Sequence, residues 1–251
     1  MINEFEEPIE KKHQRGIYLL PNLLTTAALF AGFYSIVAAM KGRFEIAAIV
    51  MFVAMIVDGL DGRVARLTNT QSSFGAQYDS LSDMVAFGIS PALVLYSWSL
   101  YSLGKLGWFA AFLYAAATAL RLARFNIQVS DKAYFKGLPC PSAAGVVASI
   151  VWMGDGYGLS GTTIAIPLAI LTVLVASFMV STIRYYSFKS FDFRGKVPFF
   201  TVVLAVVVIA AIALEPPEIL FALFFIYLLS GPIHTLWQMH KMRKHRYKRD
   251  S

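Results

Sequence analysis

Four aspartates, Asp58, Asp61, Asp79 and Asp83, stand at fixed spacing within sequence that is otherwise apolar on both sides. An ionised carboxylate is costly at bilayer depth, so one such residue in a membrane segment already points to function. The spacings, three residues from Asp58 to Asp61 and four from Asp79 to Asp83, put each pair on one face of a helix. Hard divalent cations such as magnesium and manganese take oxygen ligands, and converging carboxylates repel one another unless a cation lies among them. The carboxylates taken alone leave a second chemistry open, a proton or cation relay in a transporter.

The elements that must position them are membrane helices. Apolar residues fill 57% of the 251 positions, charged residues 15%, and mean hydropathy is +0.61, a balance that excludes an ordinary water-soluble domain. Stretches able to cross the hydrocarbon, which takes about 20 residues each, fall at Ile17–Met40, Phe44–Val64, Tyr78–Tyr101, Gly107–Phe125, Pro141–Gly158, Ile164–Tyr186, Val197–Leu214 and Ile219–Met239. The expected fold class is all-α: a polytopic membrane protein of about eight transmembrane helices with both termini cytoplasmic. The fifth stretch is the weakest, thinned by Gly154, Gly156 and Gly158.

Basic residues near helix ends are retained in the cytoplasm. With the N-terminus inside, all but Lys41, Arg43 and Lys105 of the 22 lysines and arginines fall on the inner side. The net charge of +7 is then an orientation signal with attraction to anionic lipid, and nucleic-acid binding is not needed to explain it. This topology sets Asp58 and Asp61 near the inner end of the second span and Asp79 and Asp83 near the inner start of the third. The four share one depth in a pocket open to the cytoplasm, and the expected location is the cell (inner) membrane.

Three parts are expected along the chain: an N-terminal cytoplasmic or interfacial segment 1–16, a transmembrane domain 17–239 and a basic cytoplasmic tail 240–251. Ile2, Phe5 and Ile9 among charges of both signs fit a helix lying on the inner leaflet, or equally a solvated tail. No cleavable signal peptide is expected, because the charged first residues lead into a full-length span. A lone cysteine, Cys140, excludes an intramolecular disulfide and reads as a small loop residue between Pro139 and Pro141 rather than a nucleophile.

The full pattern is Asp58, two residues, Asp61-Gly62, two residues, Ala65-Arg66, eight residues, Gly75, three residues, Asp79, three residues, Asp83. In this it resembles the CDP-alcohol phosphotransferases, with every defining position filled, and a relay has no need of the glycine and arginine positions. The resemblance implies that Asp58, Asp61 and Asp79 bind metal, magnesium or manganese, together with the CDP part of a lipid donor. Asp83 would be the general base and would also touch a metal. Two metals beside a diphosphate would neutralise it, polarise the attacked phosphorus and stabilise the leaving oxygens. Gly62, Arg66 and Gly75 would line the nucleotide site, small residues allowing close approach and the guanidinium reaching a phosphate. Asn22, in PNLLT, and Ser72 are further candidates for donor contacts, against the plain readings of a helix-start cap and a loop hydroxyl.

Three inner stretches bear on the acceptor: RLARFN (Arg121–Asn126), FKGLPCPSAAG (Phe135–Gly145) and VSTIRYYSFK (Val180–Lys189). Together they resemble the membrane-embedded phosphatidylserine synthases, which implies CDP-diacylglycerol as donor, L-serine as acceptor, membrane lipids as surroundings and a homodimer. Transfer to glycerol phosphate or inositol is the nearest alternative, and a cation-coupled transporter the alternative of another class. Serine brings a carboxylate, and Arg121, Arg124, Lys136, Arg184 and Lys189 supply cations at the right depth to bind it or a phosphate. Arg184 is the first choice, because it is expected in the last turn of a span.

Overall fold

A computed structural model of the chain describes residues 19–68, 70–127, 134–186 and 199–247. Among the described residues eight helical rods follow one another: α1 Leu19–Met40, α2 Phe44–Leu67, α3 Ser73–Trp98, α4 Lys105–Ile127, α5 Cys140–Gly156, α6 Ala165–Val180, α7 Phe199–Leu214 and α8 Pro216–Tyr247. Each stretch expected to span holds one of them. Among the described residues, Leu20–Met40, Ser73–Trp98, Lys105–Ile127, Gly161–Val180 and Pro216–Thr235 are long and apolar enough to cross a bilayer, which makes this a multi-pass helical membrane protein. Of the others, α2 has 24 residues but carries Glu45, Asp58, Asp61, Arg63 and Arg66, while α5 and α7 are shorter, at 17 and 16 residues.

The boundaries depart from expectation in two places. α3 begins at Ser73, well before the expected Tyr78, because the Ser72 side chain caps it by accepting from the Gly75 N–H at 3.0 Å. α6 ends at Val180, so Arg184 is not in the last turn of a span. Instead Arg184–Tyr186 (β2) pairs antiparallel with Tyr134–Lys136 (β1), with Arg184 opposite Lys136. This two-stranded ribbon is the one departure from the all-α expectation among the described residues.

Small residues let the helices approach. α1 and α2 meet through buried Ala31, Ala38 and Ala39 on one side and Ala47, Ala48 and Ala54 on the other, and Ser35 Oγ donates to the Ala47 carbonyl at 2.7 Å. Against α3, a Cβ added at Gly32 would lie 2.6 Å from the Ala86 Cα. Gly154, which made the fifth stretch look weak, faces the Trp98 ring and leaves no room for a side chain there. At the end of the bundle away from the aspartates, Asp155 Oδ2 accepts from the Glu45 N–H at 3.1 Å, fixing the end of α5 to the start of α2.

Two further features shape the end that holds the aspartates. α3 contains a π-helical turn, Met84–Ile89, directly after Asp83. Such a turn loosens the i to i−4 ladder and frees a carbonyl. Tyr114 of α4, fully buried, donates its hydroxyl to the Phe87 carbonyl within this turn at 3.2 Å. The ribbon is pinned to α8: Tyr185 is buried against Gly231 and donates to the Leu228 carbonyl at 3.1 Å, and Tyr227 donates to the Tyr186 carbonyl at 3.1 Å. Segment 1–16, with the interfacial helix expected there, and Lys189 lie outside the described residues. The tail from residue 240 continues α8 as helix to Tyr247.

Candidate active site

α1 packs against both the last turns of α2 and the first turns of α3, and the short connection between those two brings their carboxylates together. Three carboxylates converge there. One oxygen from each of Asp58, Asp61 and Asp79 lies within 4.8 Å of the others. Asp83 adjoins this group through a side-chain hydrogen bond with Asp58, and its Oδ1 is buried and has no hydrogen-bond partner among the described residues.

Carboxylates so close together, Asp61 buried and Asp58 and Asp79 half-buried, need compensation, and an all-oxygen donor set is what a hard divalent cation takes. The orphaned Oδ1 of Asp83 points to the same need, since a buried acceptor without a partner costs about 1–3 kcal/mol. The residues present therefore fit a divalent metal held by Asp58, Asp61 and Asp79, with Asp83 next to it.

Thr25, which the sequence reading passed over, organises the cluster. Its hydroxyl donates to Asp61 Oδ2 at 2.7 Å and lies 3.1 Å from the Pro21 carbonyl, while its own carbonyl accepts from Ser82 Oγ at 3.0 Å. One buried residue of α1 thus grips α2 and α3 together. A threonine one helical turn after Pro21-Asn22 was the available signal, since it shares their face.

Beside the carboxylates opens a cleft of about 250 Å³, lined by Asn22, Asp61, Gly62, Ala65, Arg66, Ser72, Gly75 and Asp79 among others. All five residues expected at the nucleotide site are in this lining. Their reasons differ. A Cβ at Gly62 would meet nothing within 4 Å, so its smallness keeps the cleft open. A Cβ at Gly75 would lie 3.1 Å from Ser72 Oγ and 3.5 Å from Asn22 Oδ1, so that glycine serves the helix cap as well. Asn22 sits inside α1, not at its start, and does not cap it. Next to these lining positions in the chain, Leu60, Leu67 and Phe74 expose their apolar side chains.

The expected acceptor cations are dispersed. Arg121 on α4 donates through an Nη to Cys140 Sγ at 3.1 Å, and Cys140 lies within electrostatic reach of Asp83. Arg124 is taken up by the Val180 carbonyl at 3.0 Å. Lys136 and Arg184 are exposed on the ribbon. The RLARFN stretch does touch α3, since Ser80 Oγ donates to Asn126 Oδ1 at 3.1 Å. Cys140 is not a loop residue but the buried first residue of α5.

Comparison with known proteins places this geometry. The family model described as CDP-alcohol phosphatidyltransferase matches residues 18–171, which hold the whole cluster and cleft. A CDP-diacylglycerol–serine O-phosphatidyltransferase of Helicobacter pylori (strain 26695) is 39% identical over 229 residues, 90% of this chain and 94% of the relative. The protein of that name from Bacillus subtilis (strain 168) is 34% identical over 170 residues, 68% of this chain and 91% of its own length. An archaetidylserine synthase of Methanothermobacter thermautotrophicus is 34% identical over 168 residues, 66% of this chain and 69% of its own.

Proposed function

The chain belongs to the CDP-alcohol phosphatidyltransferase family, and we propose that it transfers the phosphatidyl group from CDP-diacylglycerol to the hydroxyl of L-serine, giving phosphatidylserine and CMP. The observation that carries this is the carboxylate cluster bordering the cleft, with Asp83 hydrogen-bonded to it through Asp58. Relatives named for transfer to serine match most of the chain.

Asp58, Asp61 and Asp79 would hold a divalent cation, magnesium or manganese, whose charge offsets that of the donor's diphosphate. The nucleotide lies in the cleft over Gly62, where backbone is uncovered, and Arg66 reaches the phosphates. Asn22 and the Ser72 cap border the same space. Asp83 takes the proton of the serine hydroxyl as that oxygen bonds the phosphorus carrying diacylglycerol. The bond from this phosphorus to the bridging oxygen breaks, the electron pair leaves with CMP, and the proton passes from Asp83 to solvent.

The protein works as a multi-pass enzyme of the cell (inner) membrane, with eight spans, both termini and the cleft on the cytoplasmic side, and as a homodimer. The distribution of lysine and arginine supports the orientation, and family resemblance supports the dimer. The deciding experiment offers purified protein CDP-diacylglycerol with labelled serine, glycerol phosphate or inositol and follows CMP. Serine-dependent CMP release is expected. Release only with another alcohol would overturn the choice of acceptor, and none with any alcohol would return the chain to the transporters.

A further inference from the structure

Lys136 and Arg184 form one rung of the ribbon, and both are exposed. Residues directly opposite in an antiparallel pair put their side chains on one face, and like charges placed so repel each other. Among the described residues neither cation has a side-chain partner to offset that repulsion. Neither lines the cleft beside the carboxylates.

The chain nonetheless holds this rung in place. At the adjoining rung the Gly137 N–H donates to the Ile183 carbonyl at 2.8 Å, and the Leu138 N–H donates to the Phe178 carbonyl of α6 at 3.0 Å. Gly137 adopts φ +81°, and a Cβ there would collide with the Met179 carbonyl, so the ribbon lies directly on the end of α6. Side chains alternate along a strand, so burial of Tyr185 on α8 turns Arg184 and Tyr186 outward. So short a ribbon would not stand alone in water, and these anchors keep two cations side by side that would otherwise part.

The position is that of a bilayer surface. Only residues 181–183 separate β2 from the end of α6. Ile127 at the end of α4, Val180 at the end of α6 and Tyr186 on the ribbon expose apolar surface beside the two cations. Lipid tails suit the former and lipid phosphates the latter. The helix on which the ribbon is anchored carries Lys241, Arg243, Lys244 and Arg246 toward its end, so positive charge accumulates here.

We infer that Lys136 and Arg184 hold the phosphate of an anionic phospholipid, one phosphate oxygen to each cation. A free amino acid fits poorly, since its ammonium would meet two positive charges, and a zwitterionic phospholipid has the same disadvantage. Phosphatidylglycerol brings a phosphate to this depth with no ammonium group. The lipid bridges β1 and β2, so its binding stabilises the ribbon and the helix ends beneath it. The inference goes beyond the proposed reaction and does not depend on which alcohol is used.

The test needs no turnover. Purified protein in neutral detergent is titrated with short-chain phosphatidylglycerol, short-chain phosphatidylcholine or inorganic phosphate, and melting temperature and amide exchange of the ribbon peptides are followed. Phosphatidylglycerol should raise the melting temperature saturably and slow exchange in the ribbon, with the other two much weaker. The double variant Lys136→Gln/Arg184→Gln should need at least about tenfold more phosphatidylglycerol for half the effect. Lys41→Gln/Arg43→Gln removes the same charge at the other end of the bundle and should stay within about twofold of wild type. Each single variant keeps one cation and should need about threefold more, which reads the effect even where the double variant does not fold.

An absent response in the wild type, an equal one to phosphatidylcholine, or variants of Lys136 and Arg184 that match the wild type would overturn the lipid site. An equal response to inorganic phosphate would overturn the choice of ligand in favour of a soluble anion. An equal loss in Lys41→Gln/Arg43→Gln would overturn the site in favour of overall charge.

Discussion

Thr25 Oγ1 donates to Asp61 Oδ2 at 2.7 Å, joining a helix that carries none of the four aspartates to the most buried of them. Groups behind a metal ligand orient it and raise its basicity, and their loss typically costs about 10–100-fold in metal affinity. Thr25→Val keeps the shape and removes the donor. The apparent affinity for magnesium or manganese, read from metal-dependent CMP release, should fall about tenfold. A titration matching wild type would show that the bond is incidental to metal binding.

Asp83 and the other aspartates should separate by phenotype. Asp83→Asn removes the base, so turnover should be nearly abolished while CDP-diacylglycerol still binds. Asp58→Asn and Asp79→Asn should weaken metal and donor binding together, because both depend on the same oxygens. Stripping metal with a chelator should stop the wild type, and adding back magnesium or manganese should restart it. Donor binding with and without metal, measured for each variant, distinguishes the two groups.

The hydroxyl of Tyr114 reaches the Phe87 carbonyl within the π turn that follows Asp83. Tyr114→Phe leaves that carbonyl to find another partner, costing about 0.5–1.5 kcal/mol. Because the affected turn adjoins Asp83, the proposed base, and not the cleft, kcat should drop several-fold while metal and CDP-diacylglycerol affinities hold. Equal losses in all three would mark Tyr114 as a general stabiliser of the bundle.

Two glycines offer a controlled contrast. Gly32→Ala drives a methyl group to within 2.6 Å of the Ala86 Cα, backbone that has nowhere to go, so α1 and α3 must part. Overpacking of this kind costs about 1–3 kcal/mol, and the yield and melting temperature in detergent should fall. Gly62→Ala meets nothing within 4 Å. It should fold as wild type but raise the KM for CDP-diacylglycerol, since the methyl group occupies cleft space.

The aspartate cluster was legible because carboxylates in apolar sequence announce themselves by type, and their spacing places them on helix faces without further information. The helices were legible for the same reason, as long apolar stretches. Thr25 was not. A threonine inside an apolar helix ordinarily bonds the carbonyl one turn back, and Thr25 lies 3.1 Å from that of Pro21 as well as 2.7 Å from Asp61. The π turn has no residue signature of its own, and the ribbon joins two three-residue strands from distant loops, too short to show any alternation. Arg184 was misplaced on that account. Arg121 and Cys140 could be named from sequence but not joined, because their contact crosses from α4 to the start of α5.

The exposed apolar side chains of Leu60, Leu67 and Phe74 belong to residues adjoining positions that line the cleft. A diacylglycerol tail can stay among its neighbours in the bilayer while its nucleotide enters beside them, so the donor arrives by diffusion within a sheet. Its effective concentration is then its mole fraction in the surface. Diluting the donor with inert lipid or detergent at constant bulk amount should slow the enzyme, whereas diluting the whole suspension with buffer should not, and serine, arriving from water, should obey the opposite rule.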